Sequence, residues 1–440
     1  MINLMKTRNI YSLLYVTFVA VVLVACNDYD AAQTAYEEIV DSDVTTTPPN
    51  IDSAWELQLI PNVGQHSGEV FVYKDKKYDK LFTRTLGWNG GIGVQSTSLS
   101  DGNVLWAFND SYFGVVDAET RARGNCNFPH NSIMVQTTVG GSLGETDDDI
   151  QTNDPDGEGY YQAYTHIAPD ETIMEETYEE HFYQIGGATI FDNNGVKELQ
   201  MLWGEMDNHE GKMTRTGTCL AVYSLEGQPG NSTYLKRISK NEEFNTDDVG
   251  YGSTIWKDED GHIYLYVTEN NRPLVARTTT HDLTSEWEYY IRDLSGNFMW
   301  QKMYPTKEER TRSTIMENNY VCSMPQIFKK GDYYYMIGQA VSYVHSVYLY
   351  RGETPYGPFT DQKILFNVPY AVDKIGNQYY KNLLRVNLHL ELAREGELVF
   401  STNTDADTAG DNFDFPGSAD FCRPYFYRVF NWESIYDEDE

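Results

Sequence analysis

Five times along this chain a glycine opens a short aromatic and aliphatic run that stops at a polar residue. The runs are Gly102–Asp110 (GNVLWAFND), Gly195–Glu205 (GVKELQMLWGE), Gly261–Asn270 (GHIYLYVTEN), Gly331–Gln339 (GDYYYMIGQ) and Gly396–Asn403 (GELVFSTN). The glycines stand 93, 66, 70 and 65 residues apart, room in each unit for a small antiparallel sheet and its loops. A strand phrase repeated at this period predicts an all-β chain, a β-propeller of five blades around a central funnel. The β-branched and aromatic residues of each run fit a pleated surface, and the glycine with its polar neighbour supplies a tight turn before it. A lone hairpin cannot bury its own face, so the units must pack on one another.

The amino terminus predicts an address. Lys6 and Arg8 precede an apolar stretch from Ile10 to Ala25 that ends in Leu23-Val24-Ala25-Cys26, a secretory core too short for a comfortable membrane span. The pattern is that of a lipoprotein signal, with Cys26 as the acylated residue and the lipid chains as the only membrane contact. The expected organisation is a signal peptide at 1–25, a lipid-anchored flexible tether at 26–54, the propeller at 55–436 and an acidic tail at 437–440. The tether carries Thr45-Thr46-Thr47-Pro48-Pro49 and no apolar period. Asp28 and Asp30 beside the acylated cysteine resemble the export signal of surface lipoproteins in polysaccharide-degrading Gram-negative bacteria. The expectation is an outer-membrane, surface-exposed protein, with a periplasm-facing one as the alternative.

Charge narrows the partners. Removing Lys6 and Arg8 with a signal that holds no Asp or Glu takes the formal charge from −33 to −35, which argues against nucleic acid. The 34 tyrosines and 14% aromatic content fill β cores and also supply rings that stack on sugar faces. A single propeller uses the whole chain after the tether, and a monomer is expected. Four cysteines remain besides Cys26: Cys126, Cys219, Cys322 and Cys422. No pair has zinc-site spacing. Ring closure makes Cys126–Cys422 the easiest bridge, with four free buried thiols as the alternative. No metal site is expected. The acidic stretches Asp147-Asp148-Asp149 and Asp405–Asp411 have oxygens suited to calcium but not the spacing of a calcium-binding loop, and solvated turns are the simpler reading.

Propeller geometry brings the ends of the five returning strands to one rim: Asp110, Glu205, Glu269, Gln339 and Asn403. The starts of the inner strands should join them, at Trp88–Gly91, Gly186-Gly187, Asp248–Gly252, Cys322–Pro325 and Asn382–His389.

The order of several phrases carries a resemblance. Trp88-Asn89-Gly90-Gly91, Trp106–Asp110, His130-Asn131-Ser132, Tyr251-Gly252, Pro325–Phe328, Thr354–Phe359, His389 and Arg423-Pro424 resemble the five-bladed propeller glycosidases that include glycoside hydrolase family 43. More closely they resemble secreted propeller proteins described as domain of unknown function 5005, over about Leu81 to Phe430. The resemblance implies a glycoside hydrolase of furanosidase-like type. The resembling sequences carry an acid where this chain has Ile92, and family 43 places a Glu where this chain reads Cys322-Ser323-Met324.

Glycoside hydrolysis needs two carboxylates across the scissile bond. Asp110 is the expected base, Glu205 after Leu202-Trp203-Gly204 the expected acid, Glu269 a third candidate and Asp248 a tuning charge. For each, capping a turn or bonding a neighbouring blade is the alternative. Trp88 is placed to stack on a sugar, Asn89, His130 and Asn131 to bond hydroxyls, His389 to bond a hydroxyl or hold an axial ion or water, and Arg385 and Arg423 to recognise a carboxylate or stabilise a catalytic acid. Trp88 and His389 serve equally well as core residues. Two other functions stay open: a glycan-binding lipoprotein without an acid/base pair, and a protein-interaction propeller.

Overall fold

The computed structural model describes residues 56–60, 70–139, 142–143, 150–151, 181–209, 212–229, 231, 233–245, 248–368, 374–375, 378–379 and 382–439. The expected signal, Cys26, the tether and Asp147–Asp149 lie outside these residues.

All five repeated glycines occupy the left-handed region that the turn reading requires. Their φ angles are +86° (Gly102), +91° (Gly195), +95° (Gly261), +59° (Gly331) and +80° (Gly396). At the last four a Cβ would meet nothing within 4 Å, so backbone conformation rather than crowding selects glycine there.

Each glycine joins the first two strands of an antiparallel sheet. The first sheet runs Gln95–Ser98, Val104–Asn109, Asn131–Gln136 and Ile150–Gln151. The second runs His181–Asn193, Val196–His209, Lys212–Leu225 and Tyr234–Asn245. The third holds Thr254–Lys257, Ile263–Glu269, Arg272–Thr278, Trp287–Arg292 and Phe298–Gln301. The fourth holds Ser323–Lys330, Tyr333–Gln339, Ser346–Gly352 and Thr360–Asn367. The fifth takes three strands from the carboxyl end, Asn382–Leu388, Glu397–Asp405 and Pro424–Phe430, and two from the amino end, Phe71–Asp75 and Leu57–Ile60. Arg428 fastens that union: its Nε lies 2.6 Å from Asp75 Oδ2 and its Nη1 2.8 Å from Glu397 Oε2, all three side chains buried.

Apolar layers fill the junctions between sheets, and strand periodicity explains how one strand serves two layers. Leu105 and Ala107 face the layer shared with the second sheet, while Val104, Trp106 and Phe108 face the layer shared with the fifth. Ile263, Leu265 and Val267 likewise face the second sheet, and Tyr264 and Tyr266 the fourth. A further layer joins the fourth sheet to the fifth. The continuous hydrophobicity of the repeated phrases is thus the mark of strands covered on both faces.

The segment expected as the first inner strand lies elsewhere. Leu86–Gly91 pairs with Ser111–Val116, which pairs with Arg123–Asn127, in a separate three-stranded sheet. Gly93, at φ +66°, turns the chain before the true first strand at Gln95. Arg123 ties this extra sheet to the loop before the last strand: its guanidinium donates to Asn89 and to the carbonyls of Asn412, Ala419 and Phe421. In the second sheet Gly186 and Gly187 form a bulge within the first strand rather than its start. The Cys126–Cys422 bridge is absent, and the four described cysteines are free thiols. Cys126 bonds to the Gly124 carbonyl, while Cys422 turns to Asn412 and Asp405.

Candidate functional site

Asp110 occupies the corner where Val104–Asn109 leaves the first sheet and Ser111–Val116 enters the extra one. The corner is locked from several sides. Asn109 N–H donates to the Ile92 carbonyl (2.8 Å), Ser111 N–H to the Pro129 carbonyl (2.9 Å), and the Ser111 hydroxyl lies 2.7 Å from that of Ser132. The Asp110 side chain, about a quarter exposed at 28%, receives His130: Nδ1 lies 2.6 Å from Oδ1. An ionised carboxylate only accepts, so Nδ1 carries the proton in that state. The imidazole is itself held flat on Phe182, with ring centroids 3.7 Å apart.

Asp405 holds the equivalent place in the fifth sheet, as the last residue of Glu397–Asp405. Burial pushes its carboxyl above the ordinary range, and the negative charges of Asp110 and Asp407 push the same way. Hydrogen bonds from the Ala406 N–H and the Cys422 thiol pull against them. Arg385 lies at a bulge in the first strand of that sheet, with φ +59°. Burial works against its charge, and it stands in the field of Asp110 and Tyr343. Tyr343, with φ +68° and half exposed, is pushed up by partial burial and feels Asp405 and Arg385 in turn. Tyr112 is pushed up by burial first, then by Cys422, with Asp110 and Asp405 contributing. The seam between the first and fifth sheets therefore gathers Asp405, a guanidinium and two phenols in one electrostatic cluster with Asp110.

The other expected residues lie elsewhere or do other work. Glu205 sits inside a strand that runs on to His209, paired with Tyr183 and Gly217. Burial raises its pKa, as its apolar neighbours led one to expect, but the charges acting on it are His181, Glu242, Arg215 and Asp207. Glu269 accepts a two-point bond from Arg310, at 3.0 and 3.3 Å, and Asp248 takes a third at 3.2 Å and the Tyr304 hydroxyl at 2.7 Å. Burial opposes the Arg310 charge, yet these acceptors hold it above its ordinary range. Glu269 and Asp248 thus anchor the short helix Lys307–Arg312.

Trp88 is fully buried between Phe82 and Phe108, so its face is closed to a sugar. Asn89 is consumed by Arg123 and the Gly87 carbonyl, and Asn131 donates to the Tyr183 carbonyl. His389 is a core residue between Ser96 and Ser401, and burial lowers its pKa to about 3, which keeps it neutral. Arg423 pairs with Asp420 and stacks on Tyr425. In the Asp405–Asp411 loop, Asp407 accepts from Asn382 and Asp411 caps Thr408. Among the described residues no group of three or more His, Cys, Asp or Glu is arranged to hold a metal ion.

Tyr343 was not expected, and Asp405 was expected only as part of an acidic turn. The fifth phrase reads as a strand ending at Asn403, but Asn403 is buried, its amide donating to the Gly91 carbonyl, and the strand continues through Thr404 to Asp405. β-Branched Thr404 was the available signal.

An all-β chain with this seam has relatives. It belongs to the family described as Domain of unknown function (DUF5005), which matches residues 75–432. A protein from Bacteroides ovatus ATCC 8483, whose crystal structure is described as that of a "putative hydrolase", is 52% identical, with a TM-score of 0.80 over 90% of this chain and 100% of that one. A GH43_1 enzyme from Xanthomonas citri is 11% identical, with a TM-score of 0.40 over 80% of this chain and 91% of that one. An exo-beta-1,3-galactanase from Phanerochaete chrysosporium is 10% identical, with a TM-score of 0.38 over 84% of this chain and 64% of that one. Among proteins with curated descriptions, none matches.

Proposed function

We propose that this protein is a surface-anchored lipoprotein whose five sheets are the blades of a closed propeller, and that it hydrolyses a glycan at the seam of the first and fifth blades. The ring reading is supported by the apolar layer between the last sheet and the first, and by the packing of Gln95–Ser98 against both His181–Asn193 and Asn382–Leu388. The observation that carries the function is the placement of Asp110 and Asp405 at equivalent strand ends in one electrostatic cluster. Asp405, pushed toward its protonated form, is suited to give a proton to the glycosidic oxygen as the bond to the anomeric carbon breaks. Asp110, oriented by His130, is suited to act on the anomeric side, either taking the proton of the water that bonds to that carbon or bonding to it first and being displaced by water. The hydrolase description of the 52% identical relative supports the same reading.

A second reading, glycan binding without hydrolysis, is favoured by Ile92. This aliphatic side chain packs with Tyr112 and Cys422, beside Asp110, where the resembling sequences carry an acid.

The test incubates the full chain with arabinans, xylans, pectins and host glycans, following reducing-end release and polymer retention together. Release that disappears in Asp110→Asn and in Asp405→Asn supports the hydrolase. Saturable retention without release selects the binding protein, and neither outcome with any glycan removes both readings. For the anchor, Cys26→Ala is expected to shift the protein from the membrane fraction to the soluble one.

A further inference from the structure

Three buried arginines of this fold are satisfied by the protein itself. Arg123 is surrounded by carbonyls and Asn89, Arg310 meets Glu269 and Asp248, and Arg428 meets Asp75 and Glu397. Arg423, the other arginine expected to meet a carboxylate, already has Asp420. Arg385 differs from all of them. It is half-buried, yet its guanidinium makes no hydrogen bond and no ion pair among the described residues. Among the described residues, this planar group with five N–H donors in a fixed fork is left without an acceptor.

The fold bears costs to keep it so. The backbone of Arg385 is held at φ +59°, a conformation that non-glycine residues adopt at an energetic penalty. Opposite it stands Gly93, where a Cβ would fall 2.6 Å from Arg385 Nη1 and 2.9 Å from Asn109 Nδ2, so only glycine leaves the guanidinium its place. The nearby Asp110 carboxylate does not claim it: Asp110 influences its charge but is hydrogen-bonded to His130 instead. Beside it, Tyr343 offers a ring that is 53% exposed, on a loop pinned by the bond from its own N–H to the Leu383 carbonyl (3.1 Å). An unpaired, partly desolvated cation next to an exposed aromatic is an arrangement completed by an anionic ligand with an apolar face.

We propose that Arg385 recognises the carboxylate of an acidic sugar, so that the glycan taken at this seam contains uronosyl units, one of which places its carboxylate on the guanidinium fork and its ring face against Tyr343. This inference rests on the glycan reading above and narrows it to a substrate class. It assigns Arg385 a binding role and Gly93 a space-making one.

The experiment measures equilibrium binding of the full chain to three probes: a uronate-containing oligosaccharide, the same oligosaccharide with its carboxyls reduced to primary alcohols, and a sulfated oligosaccharide on a neutral backbone. The expected result is at least about tenfold tighter binding of the uronate than of its reduced form, since a charge-assisted hydrogen bond contributes about that much. Arg385→Gln is expected to erase the difference, and Arg385→Lys to keep part of it, having the charge without the fork. Because Arg385 makes no hydrogen bond or ion pair with another described residue, neither variant should melt far below the parent chain. Equal binding of the uronate and its reduced form overturns the proposal with no variant needed, and leaves the glycan reading intact. Discrimination that survives in Arg385→Gln overturns the assignment to this residue, and preference for the sulfated probe overturns the carboxylate. Failure of all three probes, and of every polymer in the panel above, overturns the glycan reading as well.

Discussion

His130 Nδ1 lies 2.6 Å from Asp110 Oδ1, and the imidazole behind that contact is stacked on Phe182 rather than free to turn. The carboxylate is therefore aimed by a side chain that is aimed in its turn. In a hydrolase built this way, Asp110→Asn removes the charge and should lower turnover by about 10²–10⁴-fold. His130→Ala leaves the charge but frees its direction, and should cost on the order of 10²-fold with little change in binding. Steady-state kinetics on the glycan found by screening check both; equal turnover in His130→Ala and the parent chain would remove the positioning role.

Asp405 should set the alkaline side of the pH profile. Its folded pKa is raised, first by burial and then by Asp110 and Asp407, so the proton it would donate is retained to higher pH than an ordinary aspartic acid allows. Activity is expected to fall as pH rises through that folded value. Asp110→Asn should move this limb downward, because it removes one of the charges raising Asp405; any residual activity, read with a substrate whose leaving group needs little protonation, reports the shift.

Much of this architecture was legible in the chain itself, and the reason is locality. The turn at each repeated glycine depends on a single φ, so Gly195, Gly261, Gly331 and Gly396 announce their hairpins without help from distant residues. Asp110 was legible because it ends a buried phrase. Trp88 was not, since its burial is decided by Phe82 and Phe108 from other elements, and Phe82 belongs to the end of a short helix, Lys76–Leu81, that no repeat foretells. That Asp405 rather than Glu205 shares the electrostatic surroundings of Asp110 was hidden for a similar reason. The second sheet's strand overruns the expected rim and carries on to His209, while the fifth sheet's strand passes Asn403 because Gly91, hundreds of residues away in sequence, satisfies that buried amide. Strand ends are set by such cross-chain partners.

Glu391 predicts a pH dependence of stability unrelated to turnover. Burial raises its pKa from the ordinary 4.5 to about 7, while hydrogen bonds from Ser96 and its own backbone oppose the rise. Its neighbour His389 is neutral, and Glu391 Oε1 lies 3.9 Å from His389 Nδ1, so that imidazole supplies no cation to compensate an ionised carboxylate. An acid that binds its proton more tightly when folded adds stability that is fully present below the unfolded pKa and is lost as pH rises through the folded one. Stability should thus decline between about pH 4.5 and pH 7 and level off above, by up to about 3 kcal/mol from this group. Denaturant titrations at several pH values should show a flatter profile for Glu391→Gln. An unchanged slope would mean that other groups dominate.

The repeated glycines and Gly93 should respond differently to the same substitution, which separates conformation from crowding. At Gly261 a Cβ meets open space, so Gly261→Ala bears only the left-handed backbone penalty, about 1–2 kcal/mol. Gly261→Asn should cost less, because asparagine tolerates that conformation. Gly93→Ala carries the same backbone penalty at φ +66° and also drives a methyl group against Arg385 Nη1 and Asn109 Nδ2. Asn109 accepts the Ile185 N–H (2.8 Å), so its displacement loosens the joint between the first and second sheets as well as the site. Urea unfolding should rank Gly261→Asn nearest to the parent chain, then Gly261→Ala, then Gly93→Ala, with ligand binding weakened only in the last. If Gly261→Ala proves as damaging as Gly93→Ala, crowding around Arg385 is not what selects glycine at that position.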